Sequence, residues 1–436
     1  MSAIPVVTSG SGTADLVQGL ERLQGPVTVI RRCTELSELI AACQSGMARA
    51  AIVDDDAGEL TASLADRVAA AGVALVVLAD DQAARSRFEQ LGVRCASRNL
   101  DSPALAELVA SAVQSMEARG REEGAASALA DPADSLRSWE LAGGTSVGSS
   151  DSQNHRQGKI VAVWGPAGSP GRTTLAVNLA AEAAAAGSQV LLVDADTYGP
   201  SVAAMLGLTE ESAGLAQACR LADQGLLEPA GLEASAVQVD VRAARLRVLT
   251  GVTRADRWIE IRGTALARVL EEARSLAEIT VVDCGFSLEA DEELSFDTMA
   301  PRRNAATLVA LEHADTVYAV GAADPLGVPR LVRALAELEN AVPSASPLVV
   351  MNKVRASVTG RSPERQLSEA WARFGPGQID AFLPADWDAA DAALRSGAVL
   401  LEAAPSSALR TAIAALANVP ASGRAKRRRR RRIPAK

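Results

Sequence analysis

Short apolar runs separated by helix-period stretches recur along most of the chain. The first set of runs is Pro5–Thr8, Val27–Arg31, Ala50–Asp54, Val73–Ala79 and Val93–Ala96, with amphipathic segments between them and a closing one at Ser102–Glu117. Five strand–helix repeats in so short a span predict a small open parallel sheet. From Arg119 to Gln157 the pattern gives way to Gly, Ser, Ala and charges, ending "GGTSVGSSDSQNHRQGK", which predicts a flexible linker. The alternation then resumes with runs at Ile160–Trp164, Gln189–Asp194, Arg247–Thr250, Thr280–Asp283, Thr316–Val320 and Leu348–Met351. These predict a larger, doubly wound, mostly parallel α/β domain with its ligands past the carboxyl ends of the strands. The expected organisation is a small α/β domain at 1–118, a linker at 119–157, the larger domain at 158–420 and a basic tail at 421–436.

Charge divides the chain further. The net charge is −9, yet nine of the 44 basic residues lie in 421–436 with no acid among them, leaving 35 bases against 53 acids, or −18, for the rest. The tail, "RAKRRRRRRIPAK", is expected to be disordered by self-repulsion and free to meet a nucleic acid, an anionic membrane or an acidic protein. Aromatics at 3% argue against a base-stacking platform. Five scattered cysteines with no CxxC spacing and only two histidines offer neither a disulfide framework nor a zinc site, and fit reduced thiols. The opening "MSAIPVVTSG" lacks the basic-then-apolar order of a secretory signal, and no apolar run reaches membrane-span length, so a cytoplasmic location is expected.

The chemistry concentrates at "GPAGSPGRTT", Gly165–Thr174, set between the apolar run Ile160–Trp164 and the helical "LAVNLAAEAAAAG". Strand, glycine-rich turn and helix with hydroxyls at its start is the order of a phosphate-binding loop, whose backbone N–H groups wrap an anion at a helix N-terminus. The strict pattern G-x-x-x-x-G-K-[ST] fails twice, with Pro166 in the first glycine's place and Arg172 in the lysine's. Gly168, Ser169, Pro170, Gly171, Thr173 and Thr174 keep the cradle. Downstream, "VLLVDAD" ends a strand with Asp194 and Asp196, and "ITVVDCG" ends another with Asp283, the apolar-strand-plus-acid form of a magnesium-side group. "LVVMNKV" places Asn352 just past a strand, and "FLPADWD" follows with Pro384. A dinucleotide-binding unit would need G-x-G-x-x-G, and Ala167 stands at its middle glycine.

In this order, from Lys159 to about Leu416, these motifs resemble the MinD/ParA class of P-loop ATPases. The first domain resembles the receiver domains of two-component signalling, a flavodoxin-like fold, with Asp54, Asp55 and Asp56 at the phosphoacceptor's place. It departs from them where "TSGSG" replaces the acidic pair, Ala79 a Ser or Thr, and Arg98 a lysine. Together the two domains look like the CpaE (TadZ) branch, linked to tight-adherence pili, secretion machinery and septum or pole placement.

The resemblance implies ATP and Mg2+ as ligands, with Gly168–Thr174 on the phosphates, Thr173, Asp194 and Asp283 on the metal side, Asp196 orienting the attacking water, Arg172 as the candidate catalytic cation in the lysine's place, and Asn352 and Pro384 at adenine. It also implies a homodimer joined through the nucleotide, and recruitment to a cell pole, septum or inner-membrane surface. The class carries a second lysine near the loop's start that crosses to the partner's phosphates; Ala167 stands there, and Arg302 or Arg303 of "APRRNA" is the candidate substitute. With both loop lysines replaced, the expectation is an ATP-binding scaffold with weak or lost hydrolysis, because phosphoryl transfer depends on positive charge at the transferring group. The alternatives are a slow ATPase that switches dimerisation, and a ParA-like DNA-segregation factor.

Overall fold

Alternate residues along the strands face opposite ways, and in the first sheet both faces are covered. The computed structural model describes residues 3–10, 14–23, 25–54, 60–128, 157–208, 212–289 and 302–417. The chain divides into two compact units, the first taking residues up to 155 together with 223–226, the second 156–222 and 227 onward. The first unit carries β1 (Ile4–Ser9), β2 (Val27–Cys33), β3 (Ala50–Asp54), β4 (Ala74–Leu78) and β5 (Arg94–Ala96). All pair in parallel in the order β2-β1-β3-β4-β5, the flavodoxin-like 2-1-3-4-5 arrangement.

In β3, "AAIVD", Ala50 and Ile52 pack with Leu105, Val109 and Val113 of the helix Ser102–Ala128. Ala51 and Val53 pack with Leu39, Ile40 and Cys43 on the other face. Burial on both faces is why the strand reads as a continuous apolar run rather than an alternation. Thr61 and Asp81 cap the helices Ala62–Ala70 and Gln82–Gln90 by accepting from the Leu64 and Ala84 N–H groups at 3.4 and 3.0 Å. The helix Ser102–Ala128 runs past the boundary expected at 118. Residues 129–156 of the expected linker, Asp55, Asp56 and the basic tail lie outside the described residues.

At the carboxyl end of β3, Asp54 is fully buried and paired with Arg98, whose Nε donates to Oδ1 at 2.7 Å and whose Nη2 lies 2.5 Å from it. Asp80 fixes the backbone of that arginine by accepting from the Arg98 N–H at 3.0 Å and the Ser97 hydroxyl at 2.6 Å. The expected phosphoacceptor position is therefore one half of an internal ion pair.

The second unit is built on eight strands: β6 (Lys159–Trp164), β7 (Val190–Ala195), β8 (Val237–Val241), β9 (Ala244–Leu249), β10 (Ile279–Cys284), β11 (Thr316–Ala322), β12 (Pro347–Val354) and β13 (Ile379–Pro384). Their order is β13-β12-β11-β6-β10-β7-β9-β8, parallel except for the β8–β9 pair. The expected doubly wound, mostly parallel α/β architecture is observed, with β8 and β13 added to the strands read from the sequence. Chain order reverses around β6, the strand that feeds the glycine-rich loop, so that loop opens at the switch point of the sheet.

The helix Arg172–Ala185 lies against the sheet and is buried almost all round from Leu175 to Ala184. Its alanines admit close packing, and its two buried polar side chains are matched. Asn178 donates to the Thr174 carbonyl at 2.8 Å and accepts from the Leu400 N–H at 2.7 Å. Glu182 takes a two-pronged bond from Arg410 at 2.5 and 2.7 Å. Arg410 belongs to the closing helix Ala408–Ala417, whose Leu409, Ile413 and Leu416 are buried against the same core. The closing helix thus packs on its own domain. Among the described residues no helix is long and apolar enough to cross a membrane.

Candidate functional site

The glycine-rich loop is held from below by its own arginine. Arg172 opens the helix after the loop, but its guanidinium turns back beneath it. Nη1 donates to the Gly165 and Pro166 carbonyls, both at 3.1 Å, Nε to the Cys284 carbonyl at 3.1 Å, and Nη2 to Asp196 Oδ2 at 3.3 Å. Gly168 and Gly171 have φ of +109° and +99°, where a Cβ is disfavoured. Ser169 shares the left-handed region at φ +51° without being a glycine, which costs about 1 kcal/mol or more.

Two residues of β12 secure the loop from the side. Asn352, buried, donates through Nδ2 to the Pro170 carbonyl at 2.8 Å, and Lys353 donates through Nζ to the Ser169 carbonyl at 2.7 Å. Burial pushes the Lys353 ammonium below its ordinary value, an effect opposed by nearby Asp324.

The three acids sit where the sequence puts them, at the ends of two adjacent strands. Asp194 and Asp283 are register partners across β7 and β10, and both are buried. Asp194 accepts from the Val202 N–H at 3.0 Å and the Asp196 N–H at 3.3 Å, yet burial raises its carboxyl to about 7, helped by the charge of Asp196. Asp283 is raised well above the usual carboxylate range by burial and by Asp194; Thr173 and Arg172 lie near enough to oppose that shift. Neither oxygen of Asp283 has a hydrogen-bond partner among the described residues. Asp196 is fully engaged. Its Oδ1 accepts from the Tyr198 and Gly199 N–H groups at 2.9 and 3.1 Å, and its Oδ2 faces Arg172.

These groups border a cavity of about 610 Å³. Its lining includes Ser169–Thr174, Asp196, Asn352, Lys353 and Pro384–Trp387. The structure thus brings Ser169, Pro170, Gly171, Arg172, Thr173, Thr174, Asp196, Asn352 and Pro384 to one opening, with Gly168 at the exposed loop tip and Asp194 and Asp283 buried behind it. Arg303 is committed elsewhere: it donates to the Thr197 carbonyl at 3.0 Å and stacks on the Tyr198 ring at 4.0 Å. The sequence reading missed Lys353 and Trp387, which stand 5.7 Å apart, ammonium to ring, on the cavity wall. Both lie inside the quoted motifs "MNKV" and "LPADWD", so adjacency to the chosen residues was the available signal.

A donor set of hydroxyl and carboxylate oxygens suits a hard divalent cation such as Mg2+, which keeps several waters and takes few protein ligands. The unpartnered oxygens of Asp283 beside Thr173 fit such an ion and its water shell. No cluster of three or more His, Cys, Asp or Glu side chains able to hold a metal by themselves occurs among the described residues.

Residues 156–239, which include the loop, Asp194 and Asp196, match the family model described as ParA, NUBPL iron-transfer P-loop NTPase. A 48-residue stretch is 54% identical to an iron–sulfur cluster carrier protein of Deinococcus radiodurans, covering 11% of this chain and 14% of that protein's length. Among solved structures, the ParA family ATPase from Chlorobium tepidum aligns over 59% of this chain and 98% of its own, at 20% identity and a TM-score of 0.50. The cell division ATPase MinD of Pyrococcus furiosus aligns over 60% and 97%, at 18% identity and a TM-score of 0.47. The second unit therefore has the fold of the ParA family ATPase.

Proposed function

We propose that the chain is a MinD/ParA-class protein of the CpaE-like branch that binds ATP with Mg2+, pairs with a second copy through its nucleotide face, and serves as a positioning scaffold for a pilus, secretion or septal assembly, with weak or lost hydrolysis. The observation that carries the nucleotide reading is Asp283: a fully buried carboxylate with both oxygens unpartnered, beside a hydroxyl that lines a 610 Å³ cavity under a glycine-rich loop. A buried carboxyl whose oxygens go unpaired is costly, and it is retained where a ligand completes it.

The backbone N–H groups of Gly168–Thr174, at the N-terminus of the helix Arg172–Ala185, would bind the phosphates. Thr173, Asp194 and Asp283 would hold Mg2+ and its waters, and the ion when bound neutralises phosphate charge. Asn352 and Pro384 would receive the base, with Trp387 alongside.

Support for weak hydrolysis comes from Arg172 and Asp196. The guanidinium spends its donors on three carbonyls and on Asp196, and Asp196 already accepts three hydrogen bonds, which leaves little capacity to orient a water. The second reading, a slow ATPase, is favoured by Asp196 lining the cavity all the same. An iron–sulfur cargo finds less support. Such clusters need cysteine thiolates, and the cysteines of the second unit, Cys219 and Cys284, are both buried.

The test is calorimetric ATP·Mg2+ binding and turnover on one purified sample, with Asp196→Ala as control. Binding without turnover supports the scaffold. Turnover abolished by the substitution supports the switch. Absence of binding overturns both.

A further inference from the structure

We infer that Arg330 supplies the phosphate-facing positive charge that the glycine-rich loop has lost at Ala167 and turned inward at Arg172. This rests on the nucleotide reading above and assigns one further residue to that site.

Strands β6 and β11 are parallel neighbours, with Trp164 beside Ala319, so the segments that follow them leave the sheet at the same edge. Gly165 passes so close to the Val320 carbonyl that a Cβ there would collide with it. After β11, Asp324 Oδ1 accepts from the Leu326 and Gly327 N–H groups at 3.0 and 2.7 Å, fixing the start of the helix Gly327–Ala341. Arg330 stands in the first turn of that helix, and its guanidinium lies against Gly168: a Cβ on Gly168 would sit 2.5 Å from Nη1. Gly168 is needed for its φ of +109° and also for the room it leaves the arginine.

Three other cations near the loop are already engaged. Arg172 bonds to three carbonyls and Asp196, Lys353 to the Ser169 carbonyl, and Arg303 to the Thr197 carbonyl. Arg330 is exposed, as are Ala167, Gly168 and Ser169, and its guanidinium makes no hydrogen bond or ion pair with the described residues. A guanidinium with free donors beside a loop of N–H groups is the arrangement that binds a phosphate oxygen in two-pronged fashion. The charge absent one residue before Gly168 is restored through space from a helix that starts more than 150 residues later.

The test compares wild type, Arg330→Gln, Arg330→Lys and Arg333→Gln, the last an exposed arginine one turn further along the same helix. Binding of ATP·Mg2+ and of inorganic tripolyphosphate is measured by calorimetry, with thermal midpoints recorded alongside. Arg330→Gln is expected to weaken both ligands by roughly tenfold or more at an unchanged midpoint. Arg330→Lys should recover part of the loss, and Arg333→Gln should bind like wild type. Wild-type affinity in Arg330→Gln, or an equal loss in Arg333→Gln, overturns the assignment while leaving the nucleotide reading intact. A wild-type protein that binds neither ligand overturns the nucleotide reading itself, and this assignment with it.

Discussion

The Lys353 ammonium donates to the Ser169 carbonyl at 2.7 Å, and the bond joins two of the three non-glycine residues whose φ is positive among those described. Strain of this kind persists where the surroundings over-determine it. Here the strained loop residue is held by a strained strand-end residue, and both line the cavity. Lys353→Met keeps the bulk and removes the donor. Because the contact is exposed, stability should fall by no more than about 1 kcal/mol, while ATP affinity should drop several-fold as Ser169 relaxes. Urea unfolding and calorimetry on the same variant separate the two effects; a variant that binds ATP as wild type does would show that the bond does not set the loop.

The buried acids predict a pH signature in the ligand-free protein. Burial raises the Asp194 carboxyl to about 7, so the folded chain keeps a proton that the unfolded chain gives up near 4. The unfolded state therefore binds fewer protons in this window, and the contribution of Asp194 to stability declines as pH rises from about 4 to about 7. It then stays constant. Asp194→Asn should flatten that decline, read as the difference between wild-type and variant unfolding free energies from pH 4 to pH 8. A difference independent of pH would contradict the burial of this carboxyl as a charged group.

In the first unit, Arg98 neutralises an acid that has no exposure of its own. Arg98→Ala strands the Asp54 charge in the core and should cost about 3 kcal/mol or more. Asp54→Asn leaves the partly exposed arginine able to reach water and should cost less. The same pair predicts that the protein takes no phosphoryl group from a small donor such as acetyl phosphate, measured by intact mass. A phosphorylated product lost in Asp54→Asn would show that the pair opens.

How much of this was legible follows from where each signal resides. Strands β3, β6, β7 and β10 are buried on both faces, and their continuous apolar runs announced them. Strand β8, "VQVDV", is half-exposed at the antiparallel edge of the sheet, and in β13, "IDAFLP", only Leu383 is fully buried, so neither shows a continuous apolar run. Asp194, Asp196 and Asp283 were readable because each ends a strand, and strand ends set the site in such a sheet. The inward turn of Arg172 was not readable. Its partners are carbonyls of residues 165, 166 and 284, and a backbone acceptor leaves no mark on the sequence. The same holds for Lys353 on the Ser169 carbonyl, and for Arg330, whose neighbour is a glycine.

Arg172 gives the last prediction, because it separates a loop that is braced from one that is built for turnover. Its guanidinium meets four acceptors at 3.1–3.3 Å, with 13% of the side chain exposed. An ammonium has three donors on a single atom and cannot span the same set. Arg172→Lys should therefore lose about 1–2 kcal/mol of stability, and Arg172→Ala, which also leaves Asp196 short of its cation, about 3 kcal/mol. The functional consequence runs the other way. A lysine that cannot satisfy the carbonyls is free to face the cavity, and releasing Asp196 Oδ2 restores an acceptor for water. Arg172→Lys is thus expected to match or exceed wild-type ATP turnover while being less stable, whereas Arg172→Ala loses both. Unfolding by urea and phosphate release measured on the same three samples test this, and an Arg172→Lys protein less active than wild type would make the arginine part of the chemistry rather than part of the brace.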